Sequence, residues 1–417
     1  MKKVLIISPH FPPINAADMH RIRMSLPYFE KYNWKAHIVT VDLGYVEGFT
    51  DNILYDSVPK GTEITYVKAL NQKWTRKMGL GSLSIRSLPY YFSAVNQILK
   101  KEKFDLIFFS TTMFHVGALG AFWKRRFKIP IVFDLQDPWR NDFYLSKPKN
   151  DRPKKFYFSY LLLKWTEMIG LPKADGIIAV SDAYLIEAEK RYPILKSIPK
   201  KLIPFGVSNL DFAFANKKLA YPLKTGKINV VYIGAITPGF IPVISAFFKE
   251  LKSQHIELKK YHFYFLGTSY VKVETKGLIQ KLAEELELKD FITELQDRLG
   301  YFSSLATLKK ADILFIPGSI DLHYNASKVY NAIVSKTPIF SIFSSSSEVK
   351  KIIEFSNAGE VISFENEFDI KDKISSEIKK FLTLLEKEYE CKIPVEITAE
   401  SRTIQLTEFF NTVLKSS

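Results

Sequence analysis

The 417-residue chain has a single cysteine, Cys391, which excludes an intramolecular disulfide and any zinc or iron–sulfur site built on several thiolates. Its seven histidines never form His-Glu-x-x-His, so a zincin is excluded too. No apolar run approaches the roughly 18 residues needed to span a bilayer. The stretch after Met1-Lys2-Lys3 is only Val4–Ile7 and stops at Ser8-Pro9, too short for a signal peptide. The expectation is a reduced, cytoplasmic protein. Neither Gly-x-Gly-x-x-Gly nor Gly-x-x-x-x-Gly-Lys-Ser/Thr occurs, which weighs against a dinucleotide oxidoreductase and a conventional ATPase. Acidic residues are the minority charge: 44 Asp and Glu against 59 Lys and Arg leave a net +15, a surface that attracts anions.

Hydrophobic residues make up 47% and charged residues 25%, an ordinary globular composition with material for two or three domains. Short β-branched or aromatic runs alternate with helical periodicity, the pattern of βαβ units and parallel sheets. Strands are predicted at Val4–Ile7, Ala36–Val41, Glu63–Val67, Leu106–Ser110, Ile131–Asp134, Gly176–Val180 and Lys201–Ile203. The pattern restarts at Asn229–Ile233 and continues with His262–Leu266, Ile313–Ile316, Ile339–Ile342 and Glu360–Ser363. Between the halves, Pro204–Lys227 carries no clear periodicity, and Ile370–Glu390 reads as one long helix. Two doubly wound α/β domains are the economical reading.

Ligands of such sheets gather at the carboxyl ends of the strands. The loop from Ser8 to Asp18 follows the first strand and opens a helix carrying Arg21. It reads either as an anion-admitting turn or as an ordinary βα loop with Asp18 as helix cap. In the second half, Gly234 through Thr237 to Gly239 forms a strand-to-helix turn suited to presenting backbone N–H groups to phosphate. Asp134 and Asp137 end another strand beside Trp139. The carboxylates suit sugar hydroxyls or general-base work, or they cap a loop in which Pro138 sets the turn and Trp139 packs. Ser327 is the natural cap of a helix starting at Lys328, where a lysine opposes the helix dipole unless an anion compensates it. Arg298 stands ready for the same anion; both also read as solvated charges.

Taken in order, these stretches resemble the group 1, or family 4, glycosyltransferases of the GT-B fold, in the branch with an Asp-Phe-Arg-Asp-Pro-Trp motif, here Asp134–Trp139. Phe11-Pro12-Pro13 with Arg21, Ala174 through Ser181, Ile203 through Val207, Tyr232-Ile233-Gly234, Phe265-Leu266-Gly267, Ala311-Asp312-Ile313 and Ser327 through Tyr330 carry the same likeness. The resemblance implies two doubly wound Rossmann-like domains facing a cleft. Residues 1–205 would form the acceptor-side domain, 206–398 the donor domain, and 399–417 a helix docking back on the first. It implies transfer of a sugar from a nucleotide-sugar to a cell-surface polysaccharide or lipid-linked glycan, retaining and without metal or other cofactor. Basic side chains and helix N-termini would neutralise the departing diphosphate. By position, Asp137 and Asp134 fall to catalysis. Gly234, Thr237, Gly239, Arg298, Leu299, Tyr301, Ser327, Lys328 and Asn331 fall to the donor, and Asn15, Arg21, His115 and Trp139 to the acceptor side. Four positions depart from the family: Ala235 replaces a common Arg, His323 and Asn331 replace two glutamates, and Gln136 stands near a common catalytic His. A catalytically degenerate nucleotide-sugar-binding protein and a nucleotide-sugar epimerase on the same fold are the alternatives.

Basic residues interleave with aromatics in Trp123–Lys128, Lys73–Met78 and Lys147–Lys155. They suit an anionic membrane surface or a lipid-diphosphate acceptor, or they are simply solvated faces. No nucleic-acid-binding motif accompanies the charge, and no nucleic-acid partner is expected. Phe156, Tyr160, Leu163 and Trp165 read as the buried stripe of a helix.

Overall fold

Parallel strands arise here because runs such as Val4–Ile7 are apolar on both faces, and all four of these side chains are fully buried. The first sheet contains β1 (Lys2–Ile7), β2 (Trp34–Val41), β3 (Glu63–Val67), β4 (Leu106–Ser110), β5 (Ile131–Leu135), β6 (Gly176–Ala179) and β7 (Lys200–Leu202). Its order is β3-β2-β1-β4-β5-β6-β7. The second contains β8 (Ile228–Ile233), β9 (Tyr261–Leu266), β10 (Ile292–Leu295), β11 (Ile313–Pro317), β12 (Ile339–Ser344) and β13 (Gly359–Phe364), in the order β10-β9-β8-β11-β12-β13. Every pairing is parallel; Ile7 lies opposite Val39 and Phe109, and Val231 opposite Tyr264 and Leu314. This computed structural model describes all residues except 141, 143, 144, 146, 147, 150, 151, 153, 154, 216–218, 270–274, 321–327 and 417.

Each sheet reverses its winding once, between β1 and β4 and between β8 and β11. Loops at the carboxyl ends diverge there, which makes these two places the ligand crevices of doubly wound sheets.

The chain divides into two compact units, one of Met1–Gly206 with everything from Thr398 onward, the other of Val207–Ile397. The helix Ala399–Ser416 packs beside the helix His20–Phe29 on the same face of the first sheet. Its Phe410 meets Trp34 and Phe108 edge-on at 5.2 and 5.0 Å. Gly176 on β6 leaves room for Val413 and Phe409, which a Cβ would strike. In the second unit Phe247 stacks on Phe315 at 4.9 Å, seating the helix Ile241–Ser253 on the sheet.

Several expectations are corrected. The edge strand β10 was not legible, because Thr293 and Glu294 break the apolar run. The long helix expected at Ile370–Glu390 divides into Ile370–Glu377, Lys379–Leu382 and a turn at Leu384–Glu386. The aperiodic seam holds a short helix, Asn209–Phe214, capped by the Ser208 hydroxyl, which accepts from the Asp211 amide at 3.2 Å. Trp165 is not part of a buried stripe; it is 60% exposed.

Candidate functional site

At the switch point of the first sheet, the loops after β1 and β4 converge on Asp18. Its carboxylate, with the residue only 3% exposed, accepts from Thr111 Oγ1 at 3.0 Å, the Thr112 amide at 3.1 Å and the Thr112 hydroxyl at 3.2 Å. His10 Nδ1 lies 3.0 Å away. Burial opposes the charge, yet hydrogen bonding and attraction from His10, with the threonine donors, hold this carboxyl below its usual range. A depressed carboxylate stabilises the fold above its unfolded pKa, and that stability is lost as pH falls through the folded value. In the neutral ring, a proton on Nδ1 shared with Asp18 leaves the lone pair on Nε2. The His10 side chain is 12% exposed, and among the described residues Nε2 has no hydrogen-bond partner.

Neither role was read from the sequence. Asp18 was expected to cap a helix; instead the helix begins through a turn at Ala17–Met19, and the carboxylate bonds the loop after β4. His10, a titratable ring three residues past β1, was the available signal.

The other acceptor-side candidates are structural. Arg21 is buried: its Nε lies 2.7 Å from Asp134 Oδ2, Nη2 donates to the Ile203 carbonyl at 2.7 Å, and the guanidinium covers the Phe205 ring. Asp134, 1% exposed, also accepts from Ser110 Oγ and Gln136 Nε2 at 2.9 and 2.7 Å. Burial raises its pKa despite Arg21. This sealed pair positions the sheet ends and presents no carboxylate to a ligand. Gln136 also donates to the Asp18 carbonyl, joining the β1, β4 and β5 loops. Trp139 is packed between Phe114 and Phe133 against Gly117, so its ring cannot stack on a sugar. His115 is buried on Ser84 Oγ at 2.8 Å, and burial lowers its pKa to about 4, leaving it neutral. Asn15 is buried, its side-chain oxygen 3.2 Å from His20 Nε2, and it ties the loop to Phe49.

Asp137 differs. It is exposed, makes no hydrogen bond among the described residues, and has its pKa raised by partial desolvation and by the nearby Asp18 charge. It therefore borders the His10–Asp18 cluster as a carboxylate with open valences.

At the switch point of the second sheet the glycines act sterically. Gly234, at φ +150°, has its N–H bonded to the Leu266 carbonyl, so that N–H is not a phosphate donor, contrary to the sequence reading. A Cβ at Gly234 would overlap the Lys328 side chain, which crosses it to donate to Tyr232 Oη at 3.3 Å. Gly239 likewise makes room for Ser319 Oγ, and its carbonyl accepts from Ile320 after β11. Burial, then repulsion from Arg298, lowers the Lys328 pKa to about 8. Arg298 is exposed and unpaired among the described residues. Thr237 is exposed at the turn. Tyr301 is anchored by its hydroxyl to Asp211 Oδ2 at 2.9 Å, and Leu299 packs on the core beside it. Tyr301, Ser304, Lys328 and Asn331 line a cavity of about 90 Å³. That is far below the roughly 300–1,000 Å³ of ligand-enclosing pockets, so it suits one end of a molecule laid across the strand ends. Ser327 and His323 lie outside the described residues.

One group of metal-competent side chains occurs among the described residues, His37, Glu63 and Glu102. Lys35 pairs with Glu63 and Lys3 with Glu102, and Glu63 begins β3, at the end of the sheet away from both switch-point loops.

Residues 61–208 match the model of Glycosyltransferase Family 4. No curated protein matches the sequence. Among solved structures, the chain is similar to the sucrose-phosphate synthase (tll1590) of Thermosynechococcus elongatus, at 16% identity and TM-score 0.59, over 100% of both chains. It is also similar to Alr3699/HepE of Anabaena in complex with UDP and glucose, at 14% identity and TM-score 0.54, over 100% of this chain and 99% of that one. A third likeness is to the UDP-GlcNAc 2-epimerase of Methanocaldococcus jannaschii, at 12% identity and TM-score 0.53, over 99% of this chain and 100% of that one. At such identities the structures establish the fold, and the family model speaks for residues 61–208 alone. The chain shares the fold of these structures, and residues 61–208 within it match the model of Glycosyltransferase Family 4.

Proposed function

We propose that this protein transfers a sugar from a nucleotide-sugar to the hydroxyl of a cell-surface polysaccharide or lipid-linked glycan. The observation that carries the reading is Lys328, a partly desolvated ammonium laid over a glycine at the carboxyl end of β8. In a dry site such a cation stabilises the charge that develops on a departing diphosphate. Arg298 adds a second positive charge, Asn331 offers hydrogen bonds to ribose, and Leu299 with Tyr301 borders the base. The UDP bound by Alr3699/HepE supports a uridine nucleotide as the first ligand to try.

In the reaction the C1–O bond to the diphosphate breaks and a C1–O bond to the acceptor forms. His10 Nε2 receives the acceptor proton, while Asp18 holds the ring in the required tautomer. Asp137 orients the acceptor hydroxyls. We read the transfer as retaining, with the acceptor oxygen entering C1 on the face from which the diphosphate leaves.

The test is a screen of nucleotide-sugars for thermal stabilisation, followed by transfer assays on the best binder. Transfer that requires acceptor supports the reading. Conversion of donor without acceptor would replace it by the epimerase, and binding without turnover by the degenerate protein. Because leaving-group stabilisation is assigned to side chains, turnover is expected to survive chelation. Loss with chelator that magnesium or manganese restores would contradict that assignment. Asp137→Asn is expected to lower turnover while leaving donor affinity nearly intact, the signature of an interaction made mainly in the transition state. Unchanged transfer at an unchanged melting temperature would end its catalytic role.

A further inference from the structure

We propose that the outward face of the helix Phe156–Gly170, with the adjoining helix Gln72–Lys77, docks on an anionic phospholipid bilayer. The inference goes beyond glycosyl transfer and uses side chains outside both switch-point sites.

Along the first helix Tyr157, Leu161, Trp165 and Met168 recur at three- and four-residue spacing, and all four are exposed. They form one apolar row. The other side of the helix turns inward: Glu167 and Gly170 are buried, and Gly170 lies against the Gly117 backbone. Large apolar side chains gathered in one exposed row mark an interaction surface rather than ordinary scatter.

Phe158 joins the two helices by packing over Gly79, and Lys155 Nζ reaches the Arg76 carbonyl at 3.5 Å. On the second helix and just past it, Trp74 and Met78 are 76% and 69% exposed, interleaved with Lys73, Arg76 and Lys77. Lys77, Met78, Lys149, Lys155 and Tyr157 line a shallow hollow of about 560 Å³ between them. Among the described residues, Glu47 lies 3.8 Å from Arg76, and Asp142 accepts from the Tyr160 hydroxyl on the first helix. An apolar row edged by cations complements a surface of acyl chains and anionic headgroups. Indole and phenol rings settle at the headgroup level, and lysine stems lie along apolar surface with their charges in water.

The experiment is cosedimentation of the full chain with vesicles of phosphatidylcholine alone or mixed equally with phosphatidylglycerol, at low and high salt. The protein should pellet with the mixed vesicles and dissociate as salt screens the charges. Lys73→Glu with Lys77→Glu should weaken binding at least about tenfold at low salt. Leu161→Ser with Trp165→Ala should also weaken it, while keeping the salt dependence. Of the five tryptophans, Trp34, Trp123 and Trp139 are buried, so a blue shift of emission on the vesicles reports Trp74 and Trp165. No binding to either vesicle, or binding that ignores either pair of substitutions, would overturn the proposal. So would self-association abolished by Trp165→Ala without vesicle binding, which would make the face an interface between copies. Vesicle binding needs no donor, so failure of the transfer reading would leave this result distinct.

Discussion

Arg21→Ala is expected to destabilise the first unit by about 3–5 kcal/mol, the cost of stranding a buried charge by removing its partner. Asp134 would keep only neutral donors, Ser110 and Gln136, in a site that is 1% exposed. The Ile203 carbonyl would lose its donor at the end of the sheet. Burial already raises the Asp134 pKa with Arg21 in place, and the variant should raise it further. A raised carboxyl takes up a proton on folding, so the stability it contributes is present at low pH and lost as pH rises through the folded value. The gap between wild type and variant should therefore narrow as pH falls. Urea unfolding across pH checks both points. Equal stability at neutral pH would show that the pair is not the anchor described.

The second large effect concerns chemistry. His10→Ala should lower transfer by about 10²–10⁴-fold, the range of a positioned acid–base group, with little change in donor affinity. Asp18→Asn should do nearly as much, because an amide does not enforce the same imidazole tautomer. The two substitutions together should cost little more than either alone, since the residues act as a unit. Asp18 also bonds Thr111 and Thr112, so melting temperatures must accompany the rates. His10→Ala removes none of those threonine bonds and is the cleaner variant. Full transfer by a stably folded His10→Ala protein would remove the dyad from the reaction.

The architecture was legible because buried parallel strands leave continuous apolar runs, and nearly every strand could be placed from them. The exception, β10, is a polar edge strand whose pairing with β9 no local pattern announces. The candidate site was half legible. Motif position indicated Lys328, Asn331 and Tyr301, which the fold brings around one cavity. It could not reveal that Gly234 serves as clearance for a lysine ninety-odd residues away, rather than as a phosphate donor. Arg21, Asp134 and Trp139 looked functional because charged and aromatic residues at strand ends often are. Partners supplied by other segments, Ile203 and Phe133 among them, turned them into supports. The converse holds for Asp18, whose threonine partners come from the end of the neighbouring strand.

The central claim is that Lys328 binds the diphosphate of a nucleotide donor, and calorimetry of UDP and uridine against wild type and Lys328→Ala tests it most directly. A charge-assisted hydrogen bond is worth about 1.5–3 kcal/mol, so the variant should bind UDP roughly tenfold to a hundredfold more weakly and uridine almost unchanged. Wild-type affinity for UDP should also fall as pH rises through about 8, where Lys328 loses its proton, and the variant should lack that dependence. Equal losses for UDP and uridine, or no loss for either, would contradict the account.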